Sequence, residues 1–345
     1  MINRRIFLLA ALSAPQLRAQ GFAGLGETSD GYGQPDPDRP VTFPRDHAPH
    51  PDYRIEWWYL TAPLSFADGT LLGVQWTLFR SALTSGAESS GTGPSQAWLG
   101  HAAVTTADTH RVAERYARGG TGQAGASGQP FEAWIDEWTM RGETPEALRL
   151  TAGGTDFRYD LQLRAEGPLI RHGKDGFSVK SSAGQASYYY SQPFYRVRGT
   201  VDLGNGPKDV IGQGWLDREW SSQPLAEDQS GWDWFSLNLD DGRRIMAFRL
   251  RGAEDYLSCT LIDRDGNSMA LDNDQIILRA GRRRNGVPVN WTLTLARHDI
   301  FLTIEALNPD AWMTTRIPYW EGPVSISGSA SGRGYLEMTG YERRG

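Results

Sequence analysis

The chain of 345 residues has one cysteine, Cys259, so no disulfide can form within it. It has no excess of basic residues: the formal net charge is −6, which argues against a nucleic-acid partner. A long helical period is also missing. The closest approach, Asp108 to Arg118, is short. Outside the N-terminus no apolar run is long enough to cross a bilayer, so no stable membrane span is expected. A P-loop, a dinucleotide fingerprint and a G-x-S-x-G nucleophile elbow are absent as well. These absences leave no sign of an organic cofactor, and none is expected.

Glycine and tryptophan are plentiful, with forty Gly and thirteen Trp. The glycines suit many tight turns, and the indoles suit aromatic-lined cavities or binding platforms. The first residues, MINRRIFLLAALSAPQLRAQG, hold Arg4 and Arg5 before an apolar run from Ile6 to Ala14. They read as a signal peptide over residues 1–19, by the twin-arginine or the ordinary secretory route. An exported protein, periplasmic or secreted, is expected. Residues 20–45 are rich in Gly, Pro and Asp and read as a flexible linker.

Beyond residue 45 the pattern has period two. FRYDLQLRA alternates, with Phe157, Tyr159, Leu161 and Leu163 on one face. FSLNLDDGRRIMAFRLR reads as a hairpin about Asp241-Gly242, and WTLTLARHDIFLTIEAL as two strands about Arg297–Asp299. Two stretches rich in Gly, Ser and Ala, 85–96 and 119–129, read as mobile loops.

A repeat lies within this pattern. Trp57-Trp58-Tyr59, Asp68-Gly69 and Phe79-Arg80 recur as Trp232-Asp233-Trp234-Phe235, Asp241-Gly242 and Phe248-Arg249. Each half closes alike, GQGWLDREW from Gly212 and GRGYLEMTGY from Gly332. Two related all-β units in tandem follow, over residues 46–222 and 223–345. Each is a barrel or strongly curled antiparallel sheet, since closure removes exposed edges.

The ordered motifs FPRDHAPHPDYRIEWWYLTAPL, GHAAVT, ERYAR, SYYYSQP, GWLDREWSSQPL and GRGYLEMTGY resemble those of the AttH-like and carotenoid 1,2-hydratase-like proteins, over residues 43–343. The resemblance implies two lipocalin-like β-barrels and, at the hydratase end of the family, addition of water to a carbon–carbon double bond. The chain departs from the pattern at Arg218, where the family commonly carries His.

Such chemistry needs a proton donor, rings that stabilise a cation, and controlled water. A carboxyl group in an apolar pocket keeps its proton near neutrality, and indole or phenol faces attract cations. The candidate acids are Glu56, Asp217, Glu219 and Asp233; the candidate rings are Trp58, Trp220, Trp234 and Tyr190. His101 is placed to relay a proton or to sit satisfied in the core, and Arg80 to pair with an acid or meet a ligand. Glu56 and Arg80 have a structural alternative, a buried ion pair. Alternation puts Trp215, Asp217 and Glu219 on one strand face, where two close carboxyls push one pKa up. Asp46, His47, His50 and Asp52 in DHAPHPD invite a metal, but Pro49 and Pro51 exclude the helix on which such ligands are usually spaced, and no metal is expected.

Three functions compete: acid-catalysed hydration or hydrolysis of a hydrophobic isoprenoid or lipid with Asp217 or Glu56 as proton donor, carriage of the same ligand without turnover, and carbohydrate processing on Trp platforms. The expected setting is a dry hollow inside the curled sheet, lined by acids and indoles together.

Overall fold

A computed structural model describes residue 25 and residues 29–86 and 93–343. The expected signal peptide lies outside the described residues, as does part of the expected loop at 85–96. The protein is all-β, with only short 3-10 turns besides strands among the described residues. The first sheet comprises β1 (Ile55–Phe66), β2 (Leu71–Ala82), β3 (Gln96–Thr106), β4 (His110–Arg118), β5 (Ala124–Gly128), β6 (Phe131–Ile135), β7 (Trp138–Gly142), β8 (Ala147–Gly153), β9 (Arg158–Ala165), β10 (Ile170–Arg171), β11 (Phe177–Val179), β12 (Ala186–Asp202) and β13 (Pro207–Ser221). The second sheet comprises β14 (Gly231–Leu239), β15 (Arg244–Arg251), β16 (Tyr256–Ile262), β17 (Ser268–Leu271), β18 (Ile277–Ala280), β21 (Asn290–Leu295), β22 (Ile300–Ala306), β23 (Trp312–Met313), β24 (Tyr319–Gly328) and β25 (Gly332–Met338). A separate pair, β19 (Arg283–Arg284) and β20 (Val287–Pro288), stands apart.

The first sheet runs β4-β3-β2-β1-β13-β12-β9-β8-β7-β6-β5 and is nearly closed; the second runs β17-β16-β15-β14-β25-β24-β22-β21-β18 as a half-barrel. Read from the strand that opens each unit, the two orders agree over nine strands, from β4 and β17 at one edge to β7 and β18, and the first sheet continues into β6 and β5. The internal repeat is therefore one of topology as well as of motif. Glu56 lies opposite Arg80 and Trp57 opposite Phe79; the second sheet sets Asp233 opposite Arg249 and Trp234 opposite Phe248. Both hairpins turn on a glycine in the left-handed region, Gly69 and Gly242, where a side chain would be strained.

No long helix is expected, and the stretch nearest to a helical period, Asp108–Arg118, carries β4, paired along β3 from Ala97↔Arg118 to Thr105↔His110. Two local expectations change. Residues 124–128, within an expected loop, form β5 against β6. Within residues 20–45, read as flexible linker, Val41 is anchored: it is buried against Tyr188, Tyr190 and Trp220, and its N–H bonds to the Asp175 carbonyl.

Strand faces explain why β1 is aromatic on both sides. Trp58, Leu60, Ala62 and Leu64 point into the first barrel with Trp76, Leu78, Trp98 and Trp138. Trp57 and Tyr59 point the other way and meet the second unit's Trp234, Met246, Phe248, Leu250 and Tyr335. The second barrel has its own core around Phe235, Trp291 and Trp320. Each barrel thus fills its interior with apolar side chains, and the cleft that unites acids with indoles lies inside neither sheet. The acids and indoles gather instead where the outer faces of the two barrels meet.

Candidate functional site

The two equivalent faces, β1-β2-β13 and β14-β15-β25, enclose a cleft of about 100 Å³. Its walls are Trp57, Tyr59, Thr77, Phe79, Tyr189, Asp217 and Glu219 from the first barrel, and Trp232, Trp234, Phe248, Leu250 and Glu337 from the second. Lys180, Leu25 and the connecting residues Pro224 and Leu225 complete it. A larger, open groove of about 840 Å³ runs past Arg196, Arg198, Arg244 and Arg264, but it lacks this union of buried acids and indoles.

Asp217 is the centre of the cleft's polar network. It is 2% exposed. The Tyr189 hydroxyl donates to Oδ2 at 2.7 Å, while the Trp215 indole N–H, at 2.6 Å, and the Ser191 hydroxyl donate to Oδ1. Burial raises its pKa; the three donors oppose this, Glu219 adds a like charge, and the balance lies at about 7. Behind Ser191 stands His172, with Nε2 2.6 Å from the Ser191 hydroxyl and Nδ1 2.9 Å from Thr260 in the second barrel. Burial, helped by Lys180, lowers the His172 pKa to about 3, so this histidine is neutral. With its proton on Nε2 it donates to Ser191, and Ser191 is left to donate to Asp217. The carboxyl is held in one orientation.

Glu219 lies two residues on, at the same face. It pairs with Lys180 at 2.8 Å and accepts from Ser187 at 2.5 Å. The Lys180 ammonium also sits 4.9 Å from the Tyr189 ring centroid and 4.3 Å from that of Phe248, so it ties the two barrels. Across the cleft, Glu337 accepts from the Trp232 indole at 2.5 Å. Burial raises its pKa to about 7 despite the Trp232 donor and the neighbouring Tyr59 hydroxyl. The Trp234 indole donates to Tyr189 at 3.1 Å, and that tyrosine passes its own proton toward Asp217.

Of the residues expected from the sequence, Asp217, Glu219 and Trp234 line the cleft. The others are elsewhere. Glu56 is fully buried at one end of the first barrel, 2.7 Å from Arg218 and 3.1 Å from Arg80, with His50 at 2.8 Å. Burial pushes its pKa up, but Arg218, His50 and Arg80 outweigh that and hold it far below the carboxylate range. A carboxylate so held has no proton to donate, and the expected donor role is withdrawn. Arg80 belongs to the same cluster, also bonds Gln96, and does not line the cleft. Trp58 packs in the barrel core with Arg218 3.8 Å from its ring centroid. Trp220 stacks on His50 at 3.7 Å and Tyr190 bonds His47 at 2.8 Å, both away from the cleft. Asp233 is buried between Arg249 and Arg251, each at 2.8 Å, the second unit's counterpart of the Glu56 cluster. His101 is buried between Tyr319 and Glu114.

Asp46, His47 and His50 are likewise committed, to Arg39, Arg45, Tyr190 and Glu56. No group of three or more His, Cys, Asp or Glu among the described residues is arranged to hold a metal. Residues missed in the sequence are Trp57, Tyr59, Tyr189, Lys180, Trp232 and Glu337. Glu337 had a signal: in the closing motifs it occupies the place of Asp217.

The fold and site define a lipocalin-like protein of two tandem barrels with an acid-bearing cleft between them. A model of the AttH-like family matches residues 34–341, and the chain belongs to that family. A Nitrosomonas europaea protein provisionally described as AttH is 34% identical in its crystal structure, at a TM-score of 0.81, with 90% of this chain and 100% of that one covered. Kievitone hydratase from Nectria haematococca shares the fold at 12% identity and a TM-score of 0.68, over 91% of this chain and 97% of that one. A search of curated proteins finds no match.

Proposed function

We propose that the inter-barrel cleft binds the unsaturated end of a hydrophobic molecule, of isoprenoid or lipid type, and adds water across its double bond. The observation that carries this reading is Asp217: a buried carboxyl with a pKa near 7, fixed in place and facing indole and phenyl rings. The fold shared with a hydratase supports it. Export through the N-terminal signal belongs to the same proposal, on the sequence alone.

In the forward step the Asp217 proton passes to one alkene carbon and the π bond breaks, leaving a carbocation on the other. The faces of Trp57, Trp234 and Tyr189 stabilise that charge through their quadrupoles. A water attacks the cation, a C–O bond forms, and the water's surplus proton leaves to a cleft carboxylate, Asp217 itself or Glu219. The sum is alkene plus water to alcohol. Pockets that enclose a whole drug-sized ligand span roughly 300–1,000 Å³. A cavity of about 100 Å³ suits the reacting end and a few waters, with the rest of the ligand outside it.

A carrier using the same cleft is the second reading. On its side stands the fact that both Asp217 oxygens are already hydrogen-bonded. Incubation with acyclic terpene alkenes in ¹⁸O-labelled water separates them. Labelled alcohol from the wild type, none from Asp217→Asn, and retained binding by that variant support hydration. Binding without labelled product supports the carrier. No binding of any apolar alkene refutes both.

A further inference from the structure

The cleft has a second set of buried polar groups behind it that the hydration step leaves unused. Glu321, on β24, is 1% exposed and lies between the barrels. The Tyr59 hydroxyl, whose ring lines the cleft, donates to Glu321 Oε1. Tyr59 is also a hydrogen-bond partner of the cleft acid Glu337. On the other side the Tyr319 hydroxyl interacts with the Glu321 carboxyl and lies 2.9 Å from His101 Nδ1. His101 Nε2 is 3.2 Å from Glu114, whose side chain is 21% exposed. The groups acting on Glu321 are Tyr59 from β1, Tyr319 from its own strand and Glu337 from β25, with Tyr335 and Tyr159 nearby; none is a cation. Burial and the Glu337 charge raise its pKa well above the ordinary carboxyl value, so Glu321 holds a proton. Its Oε2 is buried and has no hydrogen-bond partner.

We propose that Tyr59, Glu321, Tyr319, His101 and Glu114 form a proton relay that joins the inter-barrel cleft to solvent. The relay deepens the hydration reading, since it restores the cleft acids when the group that takes water's proton is not the one that gave it. Each link has a donor and an acceptor in one direction. With its proton on the unpartnered Oε2, Glu321 turns that oxygen toward the Tyr319 hydroxyl beside it to donate, Tyr319 donates to His101 Nδ1, and His101 Nε2–H to the Glu114 carboxylate. A proton arriving from the cleft at the Tyr59 oxygen displaces the Tyr59 hydroxyl proton to Glu321. Glu321 gives up its own to Tyr319, and the shift ends as a proton on Glu114. One proton enters, one leaves, and no charge remains inside.

The test needs no substrate. The infrared C=O stretch of the buried acid, assigned by its loss in Glu321→Gln, is followed during rapid mixing into D₂O. The relay has two mouths, so Tyr59→Phe, which closes the cleft mouth, leaves deuteration as fast as in the wild type. Tyr59→Phe with His101→Phe closes both and slows it more than about tenfold, because exchange then waits for local opening of the interface. Should that double variant fail to fold, Tyr59→Phe with Glu114→Ala, at the partly exposed end, replaces it. Three results overturn the proposal: no acid band lost in Glu321→Gln at neutral pH, slow exchange in Tyr59→Phe alone, or fast exchange in a folded double variant. Hydration can fail while exchange behaves as stated, and exchange can fail in a chain that hydrates, so the two ideas fall separately.

Discussion

Replacing Asp217 by Asn turns the cleft's raised pKa into a stability measurement. The wild-type carboxyl titrates at about 7 in the folded protein, against 3.8 for an ordinary aspartate. The folded state therefore holds this proton more tightly than the unfolded chain does. Below pH 3.8 nothing is lost; as pH rises toward 7, stability falls, at about 1.4 kcal/mol per unit. The full loss is about 4 kcal/mol, and roughly 3 kcal/mol of it falls between pH 5 and pH 8. Asparagine is nearly isosteric and cannot ionise. Its oxygen can still accept from Ser191 and Trp215, and its amide can donate to the Tyr189 oxygen. Urea unfolding of both proteins at pH 5 and pH 8 is the assay. The variant gains about 3 kcal/mol relative to the wild type across that interval. Parallel profiles, within about 0.5 kcal/mol, would refute the claim that Asp217 is a buried acid with a displaced pKa.

Three further outcomes follow from other contacts. Glu56→Gln leaves Arg80 and Arg218, both fully buried, without their carboxylate; equilibrium unfolding should show a loss of about 3–5 kcal/mol, and a loss below 1 would remove the ion cluster from the account. Tyr189→Phe removes a donor that lowers the Asp217 pKa, so the midpoint of the pH-dependent stability loss moves upward, as urea titration across pH 5 to 9 would show. Thr77→Phe fills the cleft from the first barrel's wall; binding of an apolar fluorescent probe should be lost while far-UV circular dichroism stays unchanged.

Much of the fold was legible because alternation is a local signal. The Asp241-Gly242 hairpin and the Arg297–Asp299 turn lie where residue order places them. The repeat was legible too, since it preserved an acid, an arginine and a glycine at matching places. β5 was not, because Ala and Gly carry little strand preference and its pairing with β6 is a tertiary fact. For the site, alternation correctly set Asp217 and Glu219 on one face. What sequence could not supply was which side of that face met the cavity. Glu56 and Trp58 share the side that turns into the first barrel, so an acid beside an indole was there a structural ion pair. Tyr59, Tyr189 and Lys180 reach the cleft only because two barrels dock, and no local pattern records the docking.

The central claim is that the ligand site lies between the barrels and not inside either one. Indole N–H resonances read it directly when an apolar alkene such as myrcene is titrated in. The account predicts shifts at Trp57, Trp232 and Trp234, with Trp58, Trp76, Trp98 and Trp291 in the barrel cores unmoved. Shifts confined to the core indoles would contradict it.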